Sequence, residues 1–441
     1  GISYMADIYV NGVKLSNKNI SVAYEDLLDD TGIVASGINN DPSGVLTSNI
    51  TVANGFGTST LNNLGYNKDD SRTAEGERID PSENYDNYND KFIGTYRHYD
   101  VDITDYVTPG ESVDIKIKVT RPLYGSDNDL TYYWVDWNPC PPDSNMGLTG
   151  NVTVSTSGAV RLSNPAVAAK VAADYSKADL TFYVDANNMT DAAVEGVLSG
   201  TIRKPDGTTL GSITSKTVTV AANAYCQEIA VEYSVANPEL WWPYLSGDQP
   251  LYHIDYTFTP TGGVASDNLT HRFGIRQIDV EINYAEKAVS GNNTNNADMM
   301  QVYVNHKPVM LKGGGYSPTD LFLRHSQETN QAVVDYVKYM GMNMIRDEGK
   351  FFDNDLLDLF DENGIVFMPG WCCCDRHQRT NRWSLAERFV GYEGQYSQMR
   401  NLRQHAGMFV WFNGSDNPPD AKMVEYAYFR IEANLRWFDI G

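Results

Sequence analysis

The sequence contains no apolar run approaching the roughly 18 residues of a membrane-spanning helix, so it reads as a soluble chain. Cysteine is scarce: five among 441 residues, at Cys140, Cys226 and the consecutive Cys372-Cys373-Cys374. They are too few and too unevenly spread to staple a fold of this size. Positive charge is scarce as well, with 34 Lys and Arg against 57 Asp and Glu and a net charge of −23. Such a field repels nucleic acid and anionic membranes and attracts cations, although an acidic surface also serves solubility alone. No leader is recognisable in the opening residues. Gly1-Ile2-Ser3-Tyr4 runs straight into Ile8-Tyr9-Val10-Asn11-Gly12, a strand entering a tight turn, so Gly1 is not expected to be a natural N-terminus. Glycosylation sequons at Asn19, Asn49, Asn151 and Asn268 arise by chance in a chain so rich in Asn, Ser and Thr. A secreted or extracellular setting is the expectation, but they do not establish it.

Apolar material is ample, at 41% hydrophobic and 12% aromatic residues, which excludes a disordered chain. At about 150 residues per domain the length suggests about three domains. Residues 1–155 read as all-β, with period-two runs such as Val113-Asp114-Ile115-Lys116-Ile117-Lys118-Val119. From about 25 to 90 the composition turns to Asn, Asp, Gly, Ser and Thr, a long polar surface insertion. Residues 156–282 show a second β pattern, with strands around Leu180–Val184, Thr217–Val220 and Tyr252–Phe258 at the spacing of an immunoglobulin-like sandwich.

Beyond this the grammar alternates strand and helix over residues 283–441. Strands are expected at Val309–Gly313, Met344–Arg346, Ile365–Met368 and Phe409–Phe412, and helices at Glu328–Met340, Leu356–Phe360 and Tyr396–His405. Short apolar strands separated by helices imply a parallel sheet buried on both faces, with its chemistry at the C-terminal strand ends. Those ends read Lys312-Gly313-Gly314-Gly315-Tyr316, Arg346-Asp347-Glu348-Gly349-Lys350, Pro369-Gly370-Trp371-Cys372 and Asn413-Gly414-Ser415-Asp416-Asn417. Carboxylates, amides, Gly and Trp gathered at one mouth suit a sugar, whose C–H face stacks on a flat apolar ring. The triple Gly lacks the Lys-Ser/Thr of a phosphate loop and any dinucleotide fingerprint.

Several motifs together resemble glycoside hydrolase family 2: Leu240-Trp241-Trp242-Pro243-Tyr244, Gly247-Asp248-Gln249-Pro250-Leu251-Tyr252, Phe273-Gly274-Ile275-Arg276 and the strand ends above. Within that family the resemblance is to exo-β-D-glucosaminidases. It rests on Met368-Pro369-Gly370-Trp371-Cys372-Cys373-Cys374-Asp375, on Gly414-Ser415-Asp416 where most of the family has Gly-Asn-Glu, and on the segment from Trp134 to Gly147. The resemblance implies a jelly-roll sandwich, an immunoglobulin-like domain and a (β/α)8 TIM barrel that removes β-linked glucosamine from chitosan-type oligosaccharides with retention. It implies that Asp416 is the acid/base, Glu348 a partner for the substrate ammonium, and Asp143 a residue reaching the same pocket from the first domain. Trp371 and Trp383 become candidate stacking walls.

Each residue also has a plainer reading. Asp416 could cap a helix before Asn417-Pro418-Pro419, Glu348 could pair with Arg346 or Lys350, Asp143 could serve a turn after Pro141-Pro142, and either Trp could be core. Neither a metal nor a cofactor is expected. Consecutive Cys372, Cys373 and Cys374 point to opposite sides of an extended segment and cannot wrap zinc with His377. His405 reads as a structural hydrogen-bonder.

The expected partners are an amino-sugar oligosaccharide and further barrel strands; neither nucleic acid nor a membrane is expected. Only the first four βα units are recognisable, and the family's nucleophile, a Glu on the seventh barrel strand, is not among them. Glu425 and Glu432 follow the fourth strand too closely to replace it. The remaining half-barrel is therefore expected in the same polypeptide or an associated chain, and the opening jelly-roll strands are expected to be missing as well. The alternatives are a non-catalytic sugar-binding or structural descendant and a β-mannosidase-like hydrolase, the latter disfavoured by Asp416.

Overall fold

The computed structural model describes residues 1–3, 5–17, 50–54, 57–61, 92–120, 141–283, 299–318, 320–347, 352–370 and 385–412. The chain is mostly β-sheet with few helices. Of the polar insertion only the antiparallel hairpin Ile50–Asn54 with Gly57–Leu61 is described; its remainder lies outside these residues.

In the first β unit the strand Met5–Val10 alternates as its sequence does, burying Ala6, Ile8 and Val10. It pairs antiparallel with Val13–Lys14, Phe92–Ile93 and Ile115–Thr120. Ile2, Leu15 and Phe92 complete the small core, with Tyr99, Ile117 and Val119 packed against it.

Residues 160–273 form two antiparallel sheets around one core. One sheet holds Val160–Val171, Lys177–Asn188 and Gln227–Ala236; the other holds Val194–Arg203, Thr209–Thr214, Val218–Val220, Tyr252–Pro260 and Asp267–Phe273. Alternation turns Leu180, Phe182 and Val184 inward, where Phe182 meets Tyr256 and Phe273 of the facing sheet edge-on, at interplanar angles of 73° and 89°.

The parallel sheet begins later than the sequence pattern suggests. Lys307–Val309 pairs antiparallel with Met299–Val304, because Asn305 and His306 take left-handed backbone (φ 48° and 65°) and reverse the chain there. The first parallel strand is Gly313–Tyr316, followed by Met344–Asp347 and Val366–Met368. Parallel bridges Phe367–Met408 and Gly370–Phe412 add a fourth member.

Three helices alternate with these strands. Gln327–Tyr339 starts in a reciprocal cap between Ser326 and Thr329. Asn354–Asn363 starts on Asp353, whose carboxylate accepts from Leu356 N, and stops at Gly364 in left-handed conformation (φ 68°). A side chain at Gly364 would lie 2.5 Å from Tyr244 N, so the stop also needs glycine for space. Val334, Val337, Leu356, Leu357, Phe360, Ile345 and Phe367 form the core between helices and sheet.

The third helix, Leu385–Leu402, starts 11 residues before the expected Tyr396 because it has no single apolar face to betray it. It is buried by polar contacts instead: Glu393, Gln395, Gln398, Arg400 and Asn401 are all buried beside Met399 and Leu402. Arg97 of the first β unit meets Glu393 at 3.5 Å, and Gln398 Nε2 donates to Tyr96 O at 2.5 Å. Toward the second β unit, Arg400 pairs with Asp185. Arg403, just past the helix, lies 3.8 Å from Asp185 and 2.8 Å from Glu228.

Asp185 is completely buried. Asp185→Ala would leave two buried guanidinium groups without that charge, and the expected loss is about 3–5 kcal/mol in urea unfolding. Removing the exposed Lys177–Asp179 pair should produce no comparable loss.

Candidate active site

The parallel strands end at Tyr316, Asp347, Met368 and, through the last bridge, Phe412, all at one end of the sheet. There Tyr316 stacks on Phe352 (centroids 6.1 Å apart, 22°), and the Arg346 guanidinium sits 5.4 Å from the centre of the Phe412 ring. Burial, with the nearby Asp353 carboxylate, raises the Tyr316 pKa, so its hydroxyl stays protonated and can both donate and accept. Asp347 is 1% exposed at the same end. Gly370 approaches the fourth strand so closely, with φ 153°, that a Cβ would stand 2.2 Å from Phe412 O. A phenol, a carboxylate, a guanidinium and aromatic faces at one mouth are the elements that recognise a polyhydroxylated ligand.

Of the sequence-derived site residues only Asp143 is among those described. It is exposed, in the turn 141–146, and its Oδ1 accepts from Asn145 N at 3.0 Å. Asn145 Nδ2 in turn donates to Leu321 O at 3.1 Å, in the loop after the first parallel strand, which brings the Asp143 turn to the strand-end side of the sheet. Glu348, Trp371, Trp383, Asp416 and the Cys372–Cys374 segment with His377 lie outside the described residues. Their sequence neighbours Asp347, Gly370 and Phe412 stand at the mouth. Tyr316, Arg346 and Asp347 sit in the quoted strand-end motifs, but no sequence pattern reveals that Asp347 is buried or that Arg346 lies over a ring. Asn145 lies in the quoted segment from Trp134 to Gly147, but nothing in that pattern reveals its reach to Leu321.

The Trp and Arg motifs fasten the second β unit to this site. Trp241, fully buried, donates from Nε1 to Asp361 O at 2.7 Å. Arg276 donates to Ala406 O and Met408 O, both at 2.9 Å, and thereby holds the start of the strand that leads toward Asp416.

Asp358, Asp361 and His405 bring potential metal-ligand atoms within 4.8 Å of one another. Their hydrogen bonds explain them without an ion. His405 Nδ1 lies 2.8 Å from Asp361 Oδ2, Asp361 Oδ1 accepts from Gly407 N at 2.7 Å, and Asp358 pairs with Arg272 at 3.2 Å. His405 is thus the structural hydrogen-bonder its sequence context suggested.

Beside this brace, burial and the charge of His405 push the His271 pKa down to about 3. Its unfolded value is about 6.5, so between these limits the unfolded chain binds the additional proton, and stability falls as pH drops below about 6.5. The expected slope from this one site is at most about 1.4 kcal/mol per pH unit. His271→Phe should flatten it when the thermal midpoint is followed from pH 7 to 4.

Comparison with known proteins agrees with this architecture. Residues 160–276 match the model of glycosyl hydrolases family 2. The chain is 32% identical over 347 residues to an exo-β-D-glucosaminidase of Amycolatopsis orientalis, covering 77% of this chain and 31% of that protein. Against the exo-β-D-glucosaminidase of Streptomyces avermitilis it is 30% identical over 356 residues, covering 78% and 37%. The crystal structure of an Amycolatopsis orientalis exo-chitosanase aligns with a TM-score of 0.70 at 26% identity, covering 98% of this chain and 41% of that one. The chain therefore spans about a third of the length of the curated relatives it matches. Over most of its length it resembles glycoside hydrolase family 2 and, within that family, the exo-β-D-glucosaminidases.

Proposed function

We propose that this chain is part of an exo-acting, retaining glycoside hydrolase that releases β-linked D-glucosamine from the non-reducing ends of chitosan-type oligosaccharides. The observation that carries this reading is the likeness to exo-β-D-glucosaminidases over three quarters of the chain, with Gly414-Ser415-Asp416 following the fourth parallel strand. In this reading residues 1–155 are a jelly-roll, 156–282 an immunoglobulin-like sandwich and 283–441 the first half of a (β/α)8 barrel.

Asp416 protonates the glycosidic oxygen as the C–O bond breaks, and later takes a proton from the water that attacks the covalent intermediate. Glu348 pairs with the substrate ammonium, Trp371 and Trp383 stack on the sugar, and Asp143 contacts it from the first β unit. The nucleophilic Glu comes from further barrel strands, in the same polypeptide or a tightly associated chain. Among the described residues, the first parallel strand pairs along one edge only, which supports such a continuation. A secreted setting suits a polymeric substrate, and the net charge of −23 suits a polycationic one.

The test uses the polypeptide with its barrel completed. A chromogenic β-glucosaminide should be cleaved in preference to the mannoside and galactoside; preference for the mannoside would instead assign a β-mannosidase. Asp416→Ala should reduce kcat about 100- to 10 000-fold on a substrate with a poor leaving group and much less on an activated one, because only the first needs a proton. Added salt should lower kcat/KM steeply for chitosan oligomers and little for a neutral glycoside. Glu348→Gln should weaken amino-sugar binding more than neutral-sugar binding.

A further inference from the structure

The turn that carries Asp143 is more constrained than an exposed turn requires. Asp143 itself is exposed, whereas Ser144 and Asn145 are only 2% and 8% exposed. Both have left-handed backbone, at φ 55° and 48°, which is uncommon for one non-glycine residue and more so for two in succession. Ser144 N donates to Pro141 O at 2.8 Å and Met146 N to Asp143 O at 3.0 Å, so the turn is closed by its own backbone. The Asn145 side chain instead leaves the turn, its Nδ2 donating to Leu321 O across 176 positions of sequence. Its Oδ1 is buried and has no hydrogen-bond partner among the described residues. An orphaned buried acceptor beside two strained residues is unfavourable, and folds retain such costs where a position must be held.

We infer that Asn145 is a positioning residue for Asp143. Its backbone N–H holds Asp143 Oδ1 while its side-chain amide anchors the turn to the loop after the first parallel strand. The second Asp143 oxygen, with no partner among the described residues, is thereby presented at the mouth to the ammonium group of a bound amino sugar. This inference rests on the amino-sugar reading of the site. It differs from a purely conformational role, in which Asn is present because it tolerates positive φ.

Asn145→Gly separates the two roles. Glycine keeps the backbone N–H and adopts φ 48° more readily than Asn, and it deletes only the tie to Leu321. The experiment measures binding of D-glucosamine and of D-glucose by calorimetry near pH 6, with the thermal midpoint, in the polypeptide with its barrel completed. Asn145→Gly should weaken glucosamine binding about tenfold relative to glucose without lowering the midpoint. Asp143→Asn should weaken it at least as much, and the double variant should be no worse than Asp143→Asn alone, because Asn145 acts through Asp143. Unchanged glucosamine affinity in Asn145→Gly, or losses that multiply in the double variant, would overturn the role of Asn145 and leave that of Asp143 standing. Unchanged affinity in Asp143→Asn would remove Asp143 from the site, and absence of glucosamine binding by the unmodified protein would overturn the amino-sugar reading itself.

Discussion

The architecture depends on one buried carboxylate. Asp185 projects from the second β unit to Arg400 and Arg403, at the end of the helix Leu385–Leu402, and Glu228 shares Arg403. Such a group adds little net stability over an apolar contact of the same shape, because desolvation offsets most of the attraction. What it supplies is discrimination: any other seating of the helix leaves charge buried without a partner. Arg97 and Glu393 act in the same way on the side of the first β unit. The helix is therefore indexed against both β units at once, and the parallel strands on either side of it inherit that alignment.

The fourth strand is the main beneficiary. The helix feeds it from the N-terminal side, Arg276 grips its start through two carbonyls, and the Asp361 brace fixes Gly407 just before it. Trp241 secures the same brace from behind by donating to the Asp361 carbonyl. Trp241 and Arg276, from two of the motifs that resemble the hydrolase family, thus hold the fourth strand and its approach in place. Both act on backbone carbonyls, those of Asp361, Ala406 and Met408.

Elements with one buried face were legible in the sequence. Period-two strands such as Lys177–Asn188, and helices with one apolar side such as Gln327–Tyr339, follow from where apolar residues recur. The first parallel strand was expected at Val309–Gly313 because Val309-Met310-Leu311 is the apolar run there, whereas Val309 closes the hairpin turned at Asn305-His306 and the parallel strand is Gly313–Tyr316, three glycines and a tyrosine with no apolar run to mark it. The helix Leu385–Leu402 was truncated for the opposite reason: polar partners from two other units bury it, and periodicity does not register a polar interior. At the site, residue types at strand ends were readable from motif and spacing. The burial of Asp347, the stacking of Tyr316 on Phe352 and the reach of Asn145 to Leu321 depend on contacts that no local pattern encodes.

The polar seat of the Leu385–Leu402 helix also bears on how the molecule is built. A helix with no apolar stripe gains little from early collapse, and its stabilising partners lie far away in sequence: Asp185 is 215 residues before Arg400, and Arg97 is 296 before Glu393. Contacts of that range form late, because the chain must lose the entropy of a long loop before any of them is rewarded. The helix Leu385–Leu402 is therefore expected to take its seat only after both β units have condensed and can offer their buried charges. Seating of this helix is then expected to be a late event of folding, a checkpoint that the two β units impose on the parallel sheet.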